Sequence, residues 1–280
     1  MTGKSHLSYA RLRLSIGVLM LAGIAAAARL GWPFSPCVFL RLGDLVLACP
    51  LGALEVSLAG HTLIAGLLPG FLLSAALIFL LGRLWCGWLC PASLAGSALA
   101  RAGGFLIPGA AGAMRQRRRK LAAFTAPLAL GRTHALGFLC GLLLGAYIFR
   151  YPLWSILCPL GVVSRSIIEA ALFFRPRWEA VFLLLPCLMA LFWKNGWKCA
   201  CPVGLTHGML ALPNRTFTPA LKTKQNCTRC GLCAKACAAG LEPHKGITTL
   251  DCSKCLRCLE HCPKGCLKLE LMPFRKKKES

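Results

Sequence analysis

Two cysteine runs constrain the last quarter of this 280-residue chain more tightly than any other feature. Residues 227–237 read CTRCGLCAKAC and residues 252–263 read CSKCLRCLEHCP. Each has the spacing Cys-x2-Cys-x2-Cys-x3-Cys, the run that holds bacterial tetranuclear iron–sulfur clusters. The reason is geometric. Three thiolates on one tight loop take three corners of a cubane, and the fourth corner is reached from the partner run. The spacing therefore predicts Cys227, Cys230, Cys233 and Cys262 as ligands of one [4Fe–4S] cluster. Cys252, Cys255, Cys258 and Cys237 are the expected ligands of a second. A zinc ribbon uses two pairs of cysteines, not two quartets. Two details depart from a minimal ferredoxin: Ala238 follows Cys237 where Pro263 follows Cys262, and 14 residues separate Cys237 from Cys252. Neither removes a ligand. Cys266 comes too late in the run for a ligand and reads as structural.

The rest of the chain is apolar. Hydrophobic residues make up 56% of the sequence, with 33 Lys and Arg against 9 Asp and Glu. A basic nucleic-acid binder would not carry runs such as Leu14–Ala28 and Leu63–Leu81, which approach the roughly 20 apolar residues of a membrane span. Four spans are expected, at about 12–30, 62–82, 133–149 and 178–194. Basic residues collect before the first (Lys4, Arg11, Arg13), between the second and third (RQRRRK, 115–120), and after the fourth, where Lys194 to Lys278 includes sixteen Lys and Arg. By the positive-inside rule both termini and the 83–132 connection face the cytoplasm, and the chain is a multi-pass protein of the bacterial inner membrane. The segment YARLRLSIGVLMLAGIAAAARLG also has the form of a cleavable signal peptide, the rival reading of the first span. The basic tail reads as a solvated cytoplasmic face, with docking of an acidic electron carrier as the alternative.

The membrane part repeats. Cys49-Pro50 precedes the second span and Cys90-Pro91 follows it; Cys158-Pro159 and Cys201-Pro202 stand in the same relation to the fourth. The separations are 41 and 43 residues. The pattern is span, outer Cys-Pro loop, span, inner Cys-Pro loop, twice in the same orientation. The expected fold is mainly α. A four-helix transmembrane domain (1–212) is built from an internal duplication (about 12–104 and 133–212), and a small α+β ferredoxin domain of the 2[4Fe–4S] bacterial type follows (213–280). Each Cys-Pro-(Leu/Val)-Gly unit reads as a corner, with Pro stopping a helix and Gly allowing the turn. Cys49 and Cys158 are then either small buried hydrophobes or an outer redox pair. Cys86, Cys90, Cys199 and Cys201 are accessory redox candidates on the inner face. Cys37, Cys140 and Cys187 read as inert, and His134 has no evident partner. No nucleophile–base triad, phosphate loop or dinucleotide fingerprint is present.

With four spans, the inner CGWLCP motif (a Cys-x3-Cys-Pro), a second inner Cys-Pro motif and the tandem cysteine tail, the chain resembles the NapH/MauN family of membrane-bound ferredoxin-type proteins. The membrane part of NosR is a further relative. The resemblance runs from about residue 12 to 266. Two features depart from it: the second inner motif is WKCACP, with Cys199 and Cys201 one residue apart, and Cys49 and Cys158 lie outside the nitrate-system pattern. They place the chain nearer the MauN branch. The resemblance implies two [4Fe–4S] clusters and an electron-transfer subunit of a quinol-dehydrogenase type system. Its partners would be membrane lipid, quinol and a periplasmic ferredoxin-type or other redox protein, with no nucleic acid. Methylamine utilisation or a nitrate-reductase-like system would be served. The alternative is a maturation factor supplying reducing equivalents to a periplasmic enzyme or metal centre. His61 and Glu55, near the outer interface, are the candidates for accepting quinol protons.

Overall fold

The computed structural model describes residues 9–31, 34–35, 39–42, 45–91, 132–174, 181, 201–214, 216–221, 227–237, 239–247 and 250–270. The fourth expected span, Cys37, Cys187, Cys199 and the RQRRRK segment lie outside them, and of His134 only its place in a helix is described.

Helix α1 (Tyr9–Arg29) is the one described helix long and apolar enough to cross a membrane. Only 22% of its apolar window is buried. Leu14, Val18 and Leu19 stand exposed along it, which is not how the core helix of a soluble domain behaves. Three short strands follow, β1 (Phe34–Ser35), β2 (Phe39–Leu42) and β3 (Leu45–Leu47), paired antiparallel in that order. Helix α2 (Pro50–Gly60) then ends at His61, whose φ of 50° is left-handed. A 3₁₀ turn at Ala65–Leu67 leads into α3 (Leu68–Leu81). The second apolar stretch is therefore shorter than the expected 62–82. At 1.5 Å per residue, Ala65–Leu81 reaches about 25 Å, a little under a hydrocarbon core. Helix α4 (Leu84–Trp88) carries the first inner motif. Helix α5 (Arg132–Phe149) matches the third expected span. Next come α6 (Leu153–Leu157), α7 (Pro159–Phe173) and α8 (Pro202–Leu210).

The Cys-Pro units do the opposite of what the corner reading expects. Three of them start helices. Cys49, Cys158 and Cys201 are the N-caps of α2, α7 and α8, and the proline is the first helical residue. That position needs no N–H, and proline arrives with helical φ already set. The glycine two residues on is inside the helix and serves close packing. A methyl group on Gly204 would sit 2.5 Å from the Arg83 guanidinium, and one on Gly52 would touch the Ser155 hydroxyl at 3.6 Å.

Helix α1 packs along α7, and α2 along α5. Leu51, Leu139, Leu142, Trp154, Leu205 and Leu250 form one buried cluster, so four helices and a loop of the C-terminal segment share a core. Strand β3 is held against α3 by the absence of a side chain: a methyl group on Gly70 would fall 1.7 Å from the Val46 carbonyl oxygen. The C-terminal segment contains β4 (Thr218–Leu221), α9 (Leu232–Ala236), α10 (Arg257–Glu260) and β5 (Leu267–Glu270). Strands β4 and β5 pair antiparallel, Thr218 opposite Glu270 and Leu221 opposite Leu267, which ties the two ends of the segment together.

Candidate redox site

The two cysteine loops of the tail adopt the same backbone conformation. Arg229 and Gly231 flank Cys230 with φ of 51° and 70°; Lys254 and Leu256 flank Cys255 with 49° and 59°. Left-handed φ is unfavourable for a residue such as Leu256, and it recurs here at matched positions on either side of the middle cysteine. The turn leads straight into a short helix, α9 or α10, that presents the third cysteine. Cys262 joins Cys227, Cys230 and Cys233 around one cavity. Cys266, expected to be structural, lines that cavity too and is buried. In the other half the Cys258 thiol lies within electrostatic range of Cys252, Cys255 and Cys237. Cys262 thus stands with the first run and Cys237 with the second.

Among the described residues no three His, Cys, Asp or Glu converge tightly enough for a single ion. Sulfurs around one zinc stand under about 4 Å apart, given Zn–S bonds of about 2.3 Å. Four thiols lining one apolar cavity fit a cubane, which takes one thiolate at each of its four irons. Burial pushes the Cys252 thiol up to about 11 and raises Cys258 further. Bound iron would supply the positive charge that this environment withholds from the thiolates.

The tail is bolted to the 82–90 segment. A methyl group on Gly87 would lie 2.2 Å from the Ser253 carbonyl oxygen and 3.5 Å from the Cys255 Cα. The Trp88 indole donates to the Lys254 carbonyl at 3.1 Å, and Arg83 donates to the Leu250 carbonyl at 2.7 Å. Lys254, fully buried, reaches past Gly82 to donate to the Thr216 carbonyl at 2.6 Å. Cys86 and Cys90 are therefore adjacent to the second tail quartet.

On its other side Cys86 stands 3.8 Å from His207 Nδ1. His207, on α8, borders an apolar cavity of about 280 Å³. Cys49, Cys158, Trp85, Trp154 and Ile78 also line it. The His207 Nε2 atom is buried with no hydrogen-bond partner among the described residues. Sequence reasoning missed this residue. The signal was present six positions after Cys201, a single histidine in an otherwise apolar helix.

Two expectations are corrected here. Cys49 and Cys158 were placed on the opposite membrane face from Cys86, Cys90 and Cys201. In the structure Cys201 is within electrostatic range of Cys86, Cys158 and Cys90, and Cys49 shares a cavity with Cys158 and Trp85. A hydrocarbon core of about 30 Å does not separate them. The cause is that residues 45–49 and 153–158 turn inward, after which α2 and α7 run back out. The far end of α2 packs His61 on Tyr147 at the end of α5, and that of α7 puts Phe174 over Arg29 at the end of α1.

The second correction concerns Glu55 and His61. Glu55 is fully buried and accepts from the Trp154 N–H at 2.7 Å, the Ser155 N–H at 2.9 Å and the Ser155 hydroxyl at 2.7 Å. It is a brace between α2 and α6, with its oxygens already engaged. His61 is exposed, lies away from the cavity lining, and is hydrogen-bonded to the Tyr147 carbonyl at 3.0 Å.

Comparison with known proteins points the same way as the tail. A family model described as a 4Fe-4S binding domain matches residues 62–108. The methylamine utilization ferredoxin-type protein MauN of Methylorubrum extorquens is 28% identical over 243 residues, 82% of this chain and 72% of that protein. The ferredoxin-type protein NapH of Escherichia coli is 26% identical over 76% of this chain and 71% of its own length. MauN of Paracoccus denitrificans is 27% identical over 75% of this chain. No solved structure matches. The chain is an iron–sulfur electron-transfer protein of the ferredoxin type. Within that class it is NapH/MauN-like.

Proposed function

We propose that the chain is a multi-pass inner-membrane electron carrier with both termini cytoplasmic. It would exchange electrons with quinol in the apolar cavity and, through two [4Fe–4S] clusters in residues 213–280, link the quinol pool to a periplasmic redox system. The observation that carries this reading is the orphaned His207 Nε2. It is a buried polar atom at an apolar cavity whose other ring nitrogen touches Cys86. Buried polar atoms ordinarily find partners. A quinol hydroxyl supplies one, and the imidazole can take its proton as the electrons leave toward the tail. The remaining walls accept a ring and an isoprenoid stem.

Membrane embedding is supported by the uncovered apolar length of α1 and by the bare faces of α3 and α5, where Leu72, Leu73, Phe138 and Leu144 are exposed. A continuous apolar surface of that extent belongs in lipid or an interface. The duplication is supported by backbone detail. Cys49 and Cys158 cap their helices with φ, ψ of −59°, 129° and −58°, 123°. Those helices end at His61 and Phe174 with 50°, 25° and 52°, 26°. Half-helices starting inside the bundle at repeated positions are a known way of building a midplane site.

The test is His207→Ala in the anaerobically purified full chain. Quinol-driven bleaching of the cluster absorbance should slow at least about a hundredfold, the lower range for loss of a general base. Iron content and dithionite reduction should be unchanged. Full quinol-driven rate in this variant overturns the assignment.

A further inference from the structure

The 4Fe-4S family model covers residues 62–108, and that stretch contains only two cysteines, Cys86 and Cys90. The tail quartets lie wholly outside it. A cubane needs four thiolates, so a cluster in the matched region must borrow two from elsewhere in the fold. The structure brings two there. Cys86 stands 3.8 Å from His207 Nδ1 on α8, the helix that Cys201 caps, and His207 and Cys158 line one cavity; Cys201 is also within electrostatic range of Cys86, Cys158 and Cys90. The tail offers an internal standard, since Cys258 has the same relation to Cys252, Cys255 and Cys237. Cys158 and Cys201 also pack against a single buried cluster of apolar side chains.

We infer that Cys86, Cys90, Cys158 and Cys201 form the ligand set of a third [4Fe–4S] cluster, set inside the helical domain between the apolar cavity and the tail. The surroundings suit one. Two of the four are N-caps at Cys-Pro helix starts, where the first-turn N–H groups point toward the sulfur and favour negative charge. The walls are apolar, and Arg83, buried beside Gly204, and Arg165, bonded to the Ser155 carbonyl at 3.2 Å, supply nearby positive charge. Gly87 places the Cys86 loop in contact with the Cys252–Cys255 loop. One electron can then pass between the inner cluster and the second tail cluster with no atom transferred. Cys49 is left as cavity wall. The proposal does not depend on quinol being the ligand of that cavity.

The experiment is iron and sulfide analysis with Mössbauer spectroscopy on the full chain, purified anaerobically in detergent. Three clusters predict about twelve iron atoms per chain, against about eight for the tail alone. Cys201→Ser and Cys158→Ser should each remove about four and leave the tail signals in place, while Cys49→Ser and Cys140→Ser should remove none. About eight iron atoms in the unsubstituted protein overturns the proposal without touching the tail assignment or the quinol reading. Loss of iron in Cys49→Ser with retention in Cys90→Ser overturns the ligand set. Copper or zinc in place of the extra iron overturns the cluster.

Discussion

The tail and the helical domain both gather cysteines, by opposite means. In the tail each loop carries three of its four cysteines within seven residues, and two left-handed residues around the middle one shape the loop. In the helical domain Cys86, Cys90, Cys158 and Cys201 arrive from three stretches of chain more than forty residues apart. Only the packing of the helical domain as a whole can bring them near one another. A local site survives damage elsewhere in the fold, whereas an assembled one is as fragile as the packing that makes it.

The largest test of that contrast is Glu55→Ala. It strips the partners from two buried N–H groups and a hydroxyl, at roughly 1–3 kcal/mol each, so the helical domain should lose at least about 3 kcal/mol. Thermal unfolding in detergent should show the loss, and hydrogen exchange should open at 153–158, with the tail clusters still bound. Equal loss from both regions would make the contrast false.

Gly87→Ala acts on the seam between them. Its methyl group overlaps the Ser253 carbonyl, and overpacking of this kind costs about 1–3 kcal/mol. Reduction of the tail from the helical domain should slow by more than the stability change explains, measured by stopped-flow against dithionite reduction as the control. Lys254→Met keeps most of the stem's volume and removes one charge-assisted hydrogen bond, for about 1.5–3 kcal/mol. Its effect should be confined to melting of the seam. His61→Ala is the smallest. An exposed ring that gives up one hydrogen bond and one tilted contact with Tyr147 should cost under about 1 kcal/mol and leave quinol-driven rates unchanged.

What could be read in the sequence follows the same division. The two tail loops were legible because cluster chemistry dictates spacing over a dozen residues, and spacing is what a sequence displays. The matched Cys-Pro units were legible as positions. Their sense was not. Proline ends one helix and begins another with equal ease, so Cys49 and Cys158 were placed at outer corners when they cap helices that start inside. Glu55 near an interface reads as a proton acceptor until Ser155, one hundred residues away, is seen to occupy it. His207 needed the cavity before it meant anything.

The backbone N–H of Ala10, in the first turn of α1, donates to the Glu260 carboxylate at 3.1 Å. The consequence is one of timing. The two residues lie 250 positions apart, and at 5–20 residues per second the ribosome needs roughly 12–50 s to travel between them. The opening helix is therefore made and delivered long before its cap exists. Glu260 ends α10, between Cys258 and Cys262, a stretch that cluster insertion would order. Iron loading would then be felt at the opposite end of the polypeptide, as the event that closes the first helix.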